Sequence, residues 1–118
     1  MNLPSAQRFE EMLGDLLEYM IREESTSHYE WGFRRGGVII LRGYKGPIAV
    51  IGDIHGDYKT FNRVLLDLER QGFIDNGLVV LLGDYIDRGP PEGQILTLAR
   101  IVELKMSMSW RLVTLRGN

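Results

Sequence analysis

The stretch Ile48-Ala49-Val50-Ile51-Gly52-Asp53-Ile54-His55-Gly56-Asp57 sets four apolar residues against a glycine and then a run of polar groups. A second apolar run, Leu78 to Leu82, ends the same way in Gly83-Asp84-Tyr85-Ile86-Asp87-Arg88-Gly89, and a third, Leu112 to Leu115, leads into Arg116-Gly117-Asn118. Short continuous apolar runs followed by glycine read as buried strands. Between the first two, Phe61, Val64, Leu65 and Leu68 fall at helical spacing up to Gly72. After the second, Pro90-Pro91 suits the first turn of a helix running from Glu92 to about Met106. From Ile48 onward the order is β-loop-α-β-loop-α-β, which predicts an α/β fold with a parallel sheet.

Upstream, Phe9, Leu13, Leu16, Leu17, Met20 and Ile21 follow the period of one amphipathic helix. Ser25 to Gly37 reads as a connection ending in the turn signal Gly36-Gly37. Val38 to Leu41 and Ile48 to Ile51, either side of Gly43-Tyr44-Lys45-Gly46, read as two strands of a hairpin. The second of these, apolar throughout, is expected to be covered on both faces. The expected division is therefore 1–47, a helix, a connection and the first hairpin strand, followed by a core over 48–118.

Composition limits what this core can do. With 118 residues, 44% of them hydrophobic and 25% charged, the chain suits one globular domain. Its formal net charge of -2 supplies no global positive field for nucleic acid or an anionic membrane. Arg34, Arg35, Arg42 and Lys45, with Trp31, Phe33 and Tyr44 nearby, read as a solvated hairpin rather than a nucleic-acid platform. His28 reads as an ordinary surface or loop residue. No run approaches a membrane span, and Met1 to Glu11 lacks the build of a secretory signal, so a soluble, cytoplasmic protein is expected. Without cysteine, any metal must sit on oxygen and imidazole.

In a parallel sheet the carboxyl ends of the strands lie side by side, where such folds place ligands. Asp53, His55, Asp84, Asp87, Arg88 and Asn118 can therefore converge on one rim. Three carboxylates, an imidazole and an amide suit two divalent ions: manganese, iron, zinc or magnesium. A carboxylate such as Asp84 can bridge two ions, a recurring device for hydrolysing phosphate esters through an activated water. The planar fork of Arg88 fits phosphate oxygens. An isolated Gly-Asp-x-His would more readily be read as a turn; the second motif beside it favours the metal site. Composition and spacing reach metal-assisted phosphoryl chemistry and stop short of a family.

The three segments Gly52 to Gly56, Gly83 to Gly89 and Leu115 to Asn118 resemble, in order and spacing, the signature motifs GDxHG, GDxxDRG and the opening of RGNHE of the phosphoprotein phosphatases, the serine/threonine protein phosphatases among the calcineurin-like metallophosphoesterases. The resemblance covers Ile48 to Asn118. It implies the N-terminal part of a metallophosphoesterase-type α/β sandwich, with 48–118 as the first half of the catalytic domain, ending inside the third motif at Asn118. It also implies that Asp53 and His55 ligate the first metal, Asp84 bridges both, and Asn118 ligates the second. Arg88 would hold the phosphate. A hydroxide bridging the two ions would attack phosphorus directly. The histidine that follows the asparagine in the family protonates the leaving alkoxide, and the aspartate matching Asp87 orients it.

The implied substrate is a phosphoprotein or a small phosphate ester. Hydrolysis of a symmetric dinucleoside tetraphosphate is the nearest enzymatic alternative, and an inactive metal-binding or partner-binding fragment is the non-enzymatic one. An unpaired final strand would favour self-association of such a fragment. A dinucleotide-binding domain fits the β-α-β rhythm, but neither G-x-G-x-x-G nor G-x-x-x-x-G-K-[ST] occurs.

Overall fold

A computed structural model describes all residues except Met1, Thr26, Ser27, Glu30, Trp31, Gly36 and Asn118, and describes His28 and Tyr29 by their backbone alone. The expectations placed on Trp31, on the Gly36 half of the turn and on Asn118 lie outside the described residues, as does the side chain of His28. The elements run α1 (Ala6–Ser25), β1 (His28–Tyr29), β2 (Gly32–Arg35), β3 (Val38–Leu41), β4 (Ile48–Ile51), α2 (Tyr58–Arg70), α3 (Phe73–Asn76), β5 (Leu78–Leu81), α4 (Pro91–Met108), a 3-10 turn (Ser109–Arg111) and β6 (Leu112–Thr114).

The three apolar runs form the expected parallel sheet, in the order β4-β5-β6. Its register aligns Ala49, Val79 and Leu112 in one row and Ile51, Leu81 and Thr114 in another. Leu82 N–H then donates to Ile51 O at 3.0 Å and Leu115 N–H to Leu81 O at 2.9 Å, so all three strands stop on one rim. Helices α2 and α4 contribute to one core with a single face of this sheet: Phe61, Leu65, Ile101, Leu104 and Met108 meet Val79, Leu81 and Leu112, with Ala49 and Ile51 packed against them. Asp57 caps α2 by accepting from Thr60 N–H at 3.1 Å. That bond lowers the Asp57 pKa below the ordinary carboxylate value. Pro90 precedes α4 and Pro91 opens it, as the sequence requires.

Three expectations are corrected. The hairpin is not Val38–Leu41 with Ile48–Ile51: β3 pairs antiparallel with β2, Arg35 opposite Val38, while β4 belongs to the other sheet beside β5. The stretch expected to be a connection thus supplies two strands, because Gly32 to Arg35 finds backbone partners in β3 that a local reading cannot see. Strand β4 is covered on one face only. It lies at the sheet edge, with Ile48 and Val50 44% and 61% exposed. Helix α1 does not bury its apolar positions together. Phe9, Met12 and Leu16 pack on Ala99 and Val102 of α4, whereas Leu13, Leu17 and Ile21 remain exposed.

The basic stretch is engaged internally. Arg35 and Arg42 lie over the Phe33 ring, at 5.8 and 5.5 Å from its centroid, and Arg34 reaches Glu23 at 3.5 Å. Glu23 also meets Lys105, whose side chain is almost fully buried. The ammonium donates to Glu23 Oε1 at 3.0 Å, to Ser109 O at 3.2 Å and to Leu112 O, which uses its three protons. Glu23 Oε2 lies 2.8 Å from the same nitrogen as an ionic contact without hydrogen-bond geometry. This knot ties α1 and β6 to the last turn of α4. No helix among the described residues is long and apolar enough to cross a membrane.

Candidate metal centre

Asp53, His55, Asp84 and Arg88 each stand next to a glycine, and the backbone there is unusual. Among the described residues other than glycine, positive φ occurs at His55 (48°), Asp84 (52°), Asp87 (85°) and Ser109 (57°). Three of these four belong to the two strand-end loops. A left-handed conformation costs an L-residue with a Cβ roughly 1–2 kcal/mol, so the loops accept strain that aims these side chains. In the sequence the glycines mark only where each strand ends; nothing there signals that His55, Asp84 and Asp87 themselves carry positive φ.

What holds the strain is a set of bonds between the loops. Ile54 N–H and His55 N–H both donate to Asp84 O, at 3.1 and 2.8 Å, and Gly56 N–H donates to Tyr85 O at 2.8 Å. The first loop is thereby fastened along the second. His55 Nδ1 lies 3.1 Å from Ile86 O. A carbonyl can only accept, so Nδ1 carries a proton and, in neutral imidazole, Nε2 turns a lone pair outward. That nitrogen sits 3.4 Å from Asp53 Oδ2. One ligand atom from each of Asp53, His55 and Asp84 lies within 4.8 Å of the other two.

The third strand reaches the same place. A Cβ on Gly83 would stand 2.3 Å from Gly117 Cα, and one on Gly117 would stand 2.6 Å from Asp84 N and 3.0 Å from Asp84 Oδ1. Only two glycines allow the end of β6 to cross against Asp84 this closely. Tyr85 secures the crossing: its hydroxyl donates to Leu115 O at 2.6 Å. Burial, with the negative charge of Asp84 adding to it, pushes the Tyr85 phenol up to about 12. No sequence motif of polar residues marked Tyr85, whose role depends on a partner 30 positions away.

The donor set fits a divalent cation. Two carboxylates and one imidazole are hard to borderline ligands, and the Nδ1 bond to a backbone carbonyl is the outer contact that commonly orients a ligating histidine. Nε2 and Asp53 Oδ2, 3.4 Å apart, face each other across a gap that a shared cation can fill. The sequence profile of the calcineurin-like phosphoesterases matches residues 46–118. The chain belongs to the calcineurin-like phosphoesterases. It is 43% identical over 74 residues to a Caenorhabditis elegans protein named "putative serine/threonine-protein phosphatase"; the match covers 63% of this chain and 19% of that relative. The chain thus spans about a fifth of the relative it matches.

As a calcineurin-like phosphoesterase segment, the structure brings together Asp53, His55 and Asp84. Asp87 and Arg88 lie exposed on the same loop as Asp84. Asn118, expected as a further ligand, lies outside the described residues, one position beyond the Gly117 that touches Asp84.

Proposed function

We propose that this chain forms part of the active site of a metal-dependent phosphomonoester hydrolase acting on phosphoserine or phosphothreonine in proteins, or on small phosphate esters. The observation that carries the reading is the convergence of Asp53, His55 and Asp84 at one strand-end rim, with Arg88 on the Asp84 loop. In this reading Asp53 and His55 hold one divalent ion, Asp84 contributes to two, and Asn118 serves the second. Manganese, iron and zinc fit the donors best. Ions bound there would neutralise charge on a phosphate ester and acidify a water.

The chain's own groups do the rest. Arg88 binds the phosphate oxygens and favours the more highly charged transition state. Asp87 orients the group that protonates the leaving alkoxide. The named relative supports a protein phosphatase over a dinucleoside tetraphosphate hydrolase. Lack of any long apolar helix among the described residues is compatible with a cytoplasmic site of action.

The test is to compare metal content with steady-state turnover of an aryl phosphate and a phosphopeptide, in the protein that carries this segment, for Asp84→Asn and Arg88→Ala. Loss of metal in the first and loss of turnover with metal retained in the second are the expected results. Metal loss in Arg88→Ala would remove it from the substrate-binding role.

A further inference from the structure

Gln94 sits in the first turn of α4, on neither strand-end loop, yet its side chain spans the loop that bears Arg88. Its Oε1 accepts from Asp87 N–H at 3.4 Å and its Nε2 donates to Gly89 O at 3.0 Å. The two bonds bracket residue 88 from both sides. A carboxamide offers an acceptor and a donor on separate atoms, and here it meets one backbone donor and one backbone acceptor in the matching order.

The surroundings hold this amide in place. A Cβ on Gly56 would lie 2.8 Å from Gln94 Cγ and 2.8 Å from Arg88 O, and a Cβ on Gly93 would lie 2.4 Å from Gly56 O. The start of α4 is therefore pressed against the first loop while Gln94 grips the second. Helix α4 is itself anchored through the buried Thr97, Ala99, Ile101 and Val102. Asp87, at φ 85°, holds a strained left-handed conformation within this loop, which its neighbours must maintain.

We infer that Gln94 is the positioning residue for Arg88: it transmits the rigidity of α4 to the exposed loop, so that the guanidinium projects toward phosphate from a fixed base. The inference rests on the phosphate-binding role proposed for Arg88 and adds the group that makes that role effective. A flexible arginine would lose rotational and backbone freedom on every binding event; a preorganised one loses less.

The experiment uses the 118-residue chain saturated with Mn²⁺ and titrated calorimetrically with inorganic phosphate. Gln94→Met keeps side-chain length and removes both bonds. It is expected to leave the Mn²⁺ affinity unchanged and to weaken phosphate binding about five-fold, the worth of one ordinary hydrogen bond. Arg88→Ala is expected to weaken phosphate binding further, and the double variant Gln94→Met/Arg88→Ala to be no worse than Arg88→Ala alone. Amide exchange at Asp87 should quicken in Gln94→Met and stay unchanged in Arg88→Ala. Unchanged phosphate affinity in Gln94→Met, or additive losses in the double variant, would overturn the positioning role while leaving Arg88 as the phosphate ligand. Failure of Arg88→Ala to weaken phosphate binding, or no phosphate binding by the unsubstituted chain, would overturn the proposed site and this inference with it.

Discussion

His55 Nε2 and Asp53 Oδ2 stand 3.4 Å apart, while the other ring nitrogen of His55 is held 3.1 Å from Ile86 O. The carbonyl accepts the Nδ1 proton, so Nε2 is the ring nitrogen available to a cation shared with the carboxylate. Replacing His55 by Phe is therefore expected to abolish Mn²⁺ binding by the 118-residue chain, as followed by calorimetry, while Arg88→Ala leaves it unchanged. Wild-type Mn²⁺ affinity in His55→Phe would show that the ion binds elsewhere.

Turnover separates Arg88, on the Asp84 loop, from the metal ligands. In the protein that carries this segment, Arg88→Ala is expected to lower turnover of an aryl phosphate by about 10² to 10³ with metal content retained, the usual loss for one electrostatic donor. The 118-residue chain alone holds two histidines, His28 and His55. Among the residues whose side chains are described, His55 is the one imidazole and it is engaged at the rim, so no turnover of a serine phosphate with added manganese is expected of this chain. Hydrolysis by the chain alone, abolished by Asp84→Asn, would refute this.

Gly83 tolerates no side chain. Its φ of 113° and the 2.3 Å approach of Gly117 Cα leave no room for a methyl group. Gly83→Ala should destabilise the chain by about 3 kcal/mol or more, through clash and backbone strain together. Gly14, where a Cβ meets nothing within 4 Å, provides the control. Denaturant midpoints of the two alanine variants decide the matter.

Tyr85→Phe removes the bond to Leu115 O and should cost about 1 kcal/mol near neutral pH. It should also change the alkaline limb of the stability curve. The folded-state value, about 12, lies above the ordinary 10.0, so the folded chain keeps the phenolic proton longer than the unfolded one. The stability linked to that proton is complete below pH 10.0 and is lost as pH rises toward about 12. In Tyr85→Phe this loss should disappear from unfolding curves measured across that range.

Lys105 behaves in the opposite sense. Burial pushes its pKa below the ordinary 10.5, only partly offset by Glu23. The unfolded chain then binds this proton more tightly, so stability rises with pH from the folded value up to 10.5. Lys105→Met should flatten that rise. Near neutral pH it should cost about 3 kcal/mol by leaving the partly buried Glu23 with only the longer 3.5 Å contact to Arg34, and Glu23→Gln in the same chain should recover part of the loss. Equal stability of Lys105→Met and the unsubstituted chain would show that the buried pair contributes nothing net.

The three strand ends, the two intervening helices and the candidate ligands Asp53, His55 and Asp84 were legible in the sequence, because each depends on short-range pattern. An apolar run makes a strand, glycine ends it, and residue type limits which ion can bind. Contacts across the chain were not legible. Strand β3 chose β2 over β4 as its partner, and α1 buried Met12 rather than Leu13. Glu23 met Lys105 across 82 positions, and His55 took its tautomer from Ile86, 31 positions on. Composition and periodicity thus determined that a parallel sheet would carry acidic and imidazole groups at its rim. Only the tertiary structure decided where they point, since positive φ at His55, Asp84 and Asp87 is held by hydrogen bonds and close packing between loops distant in sequence.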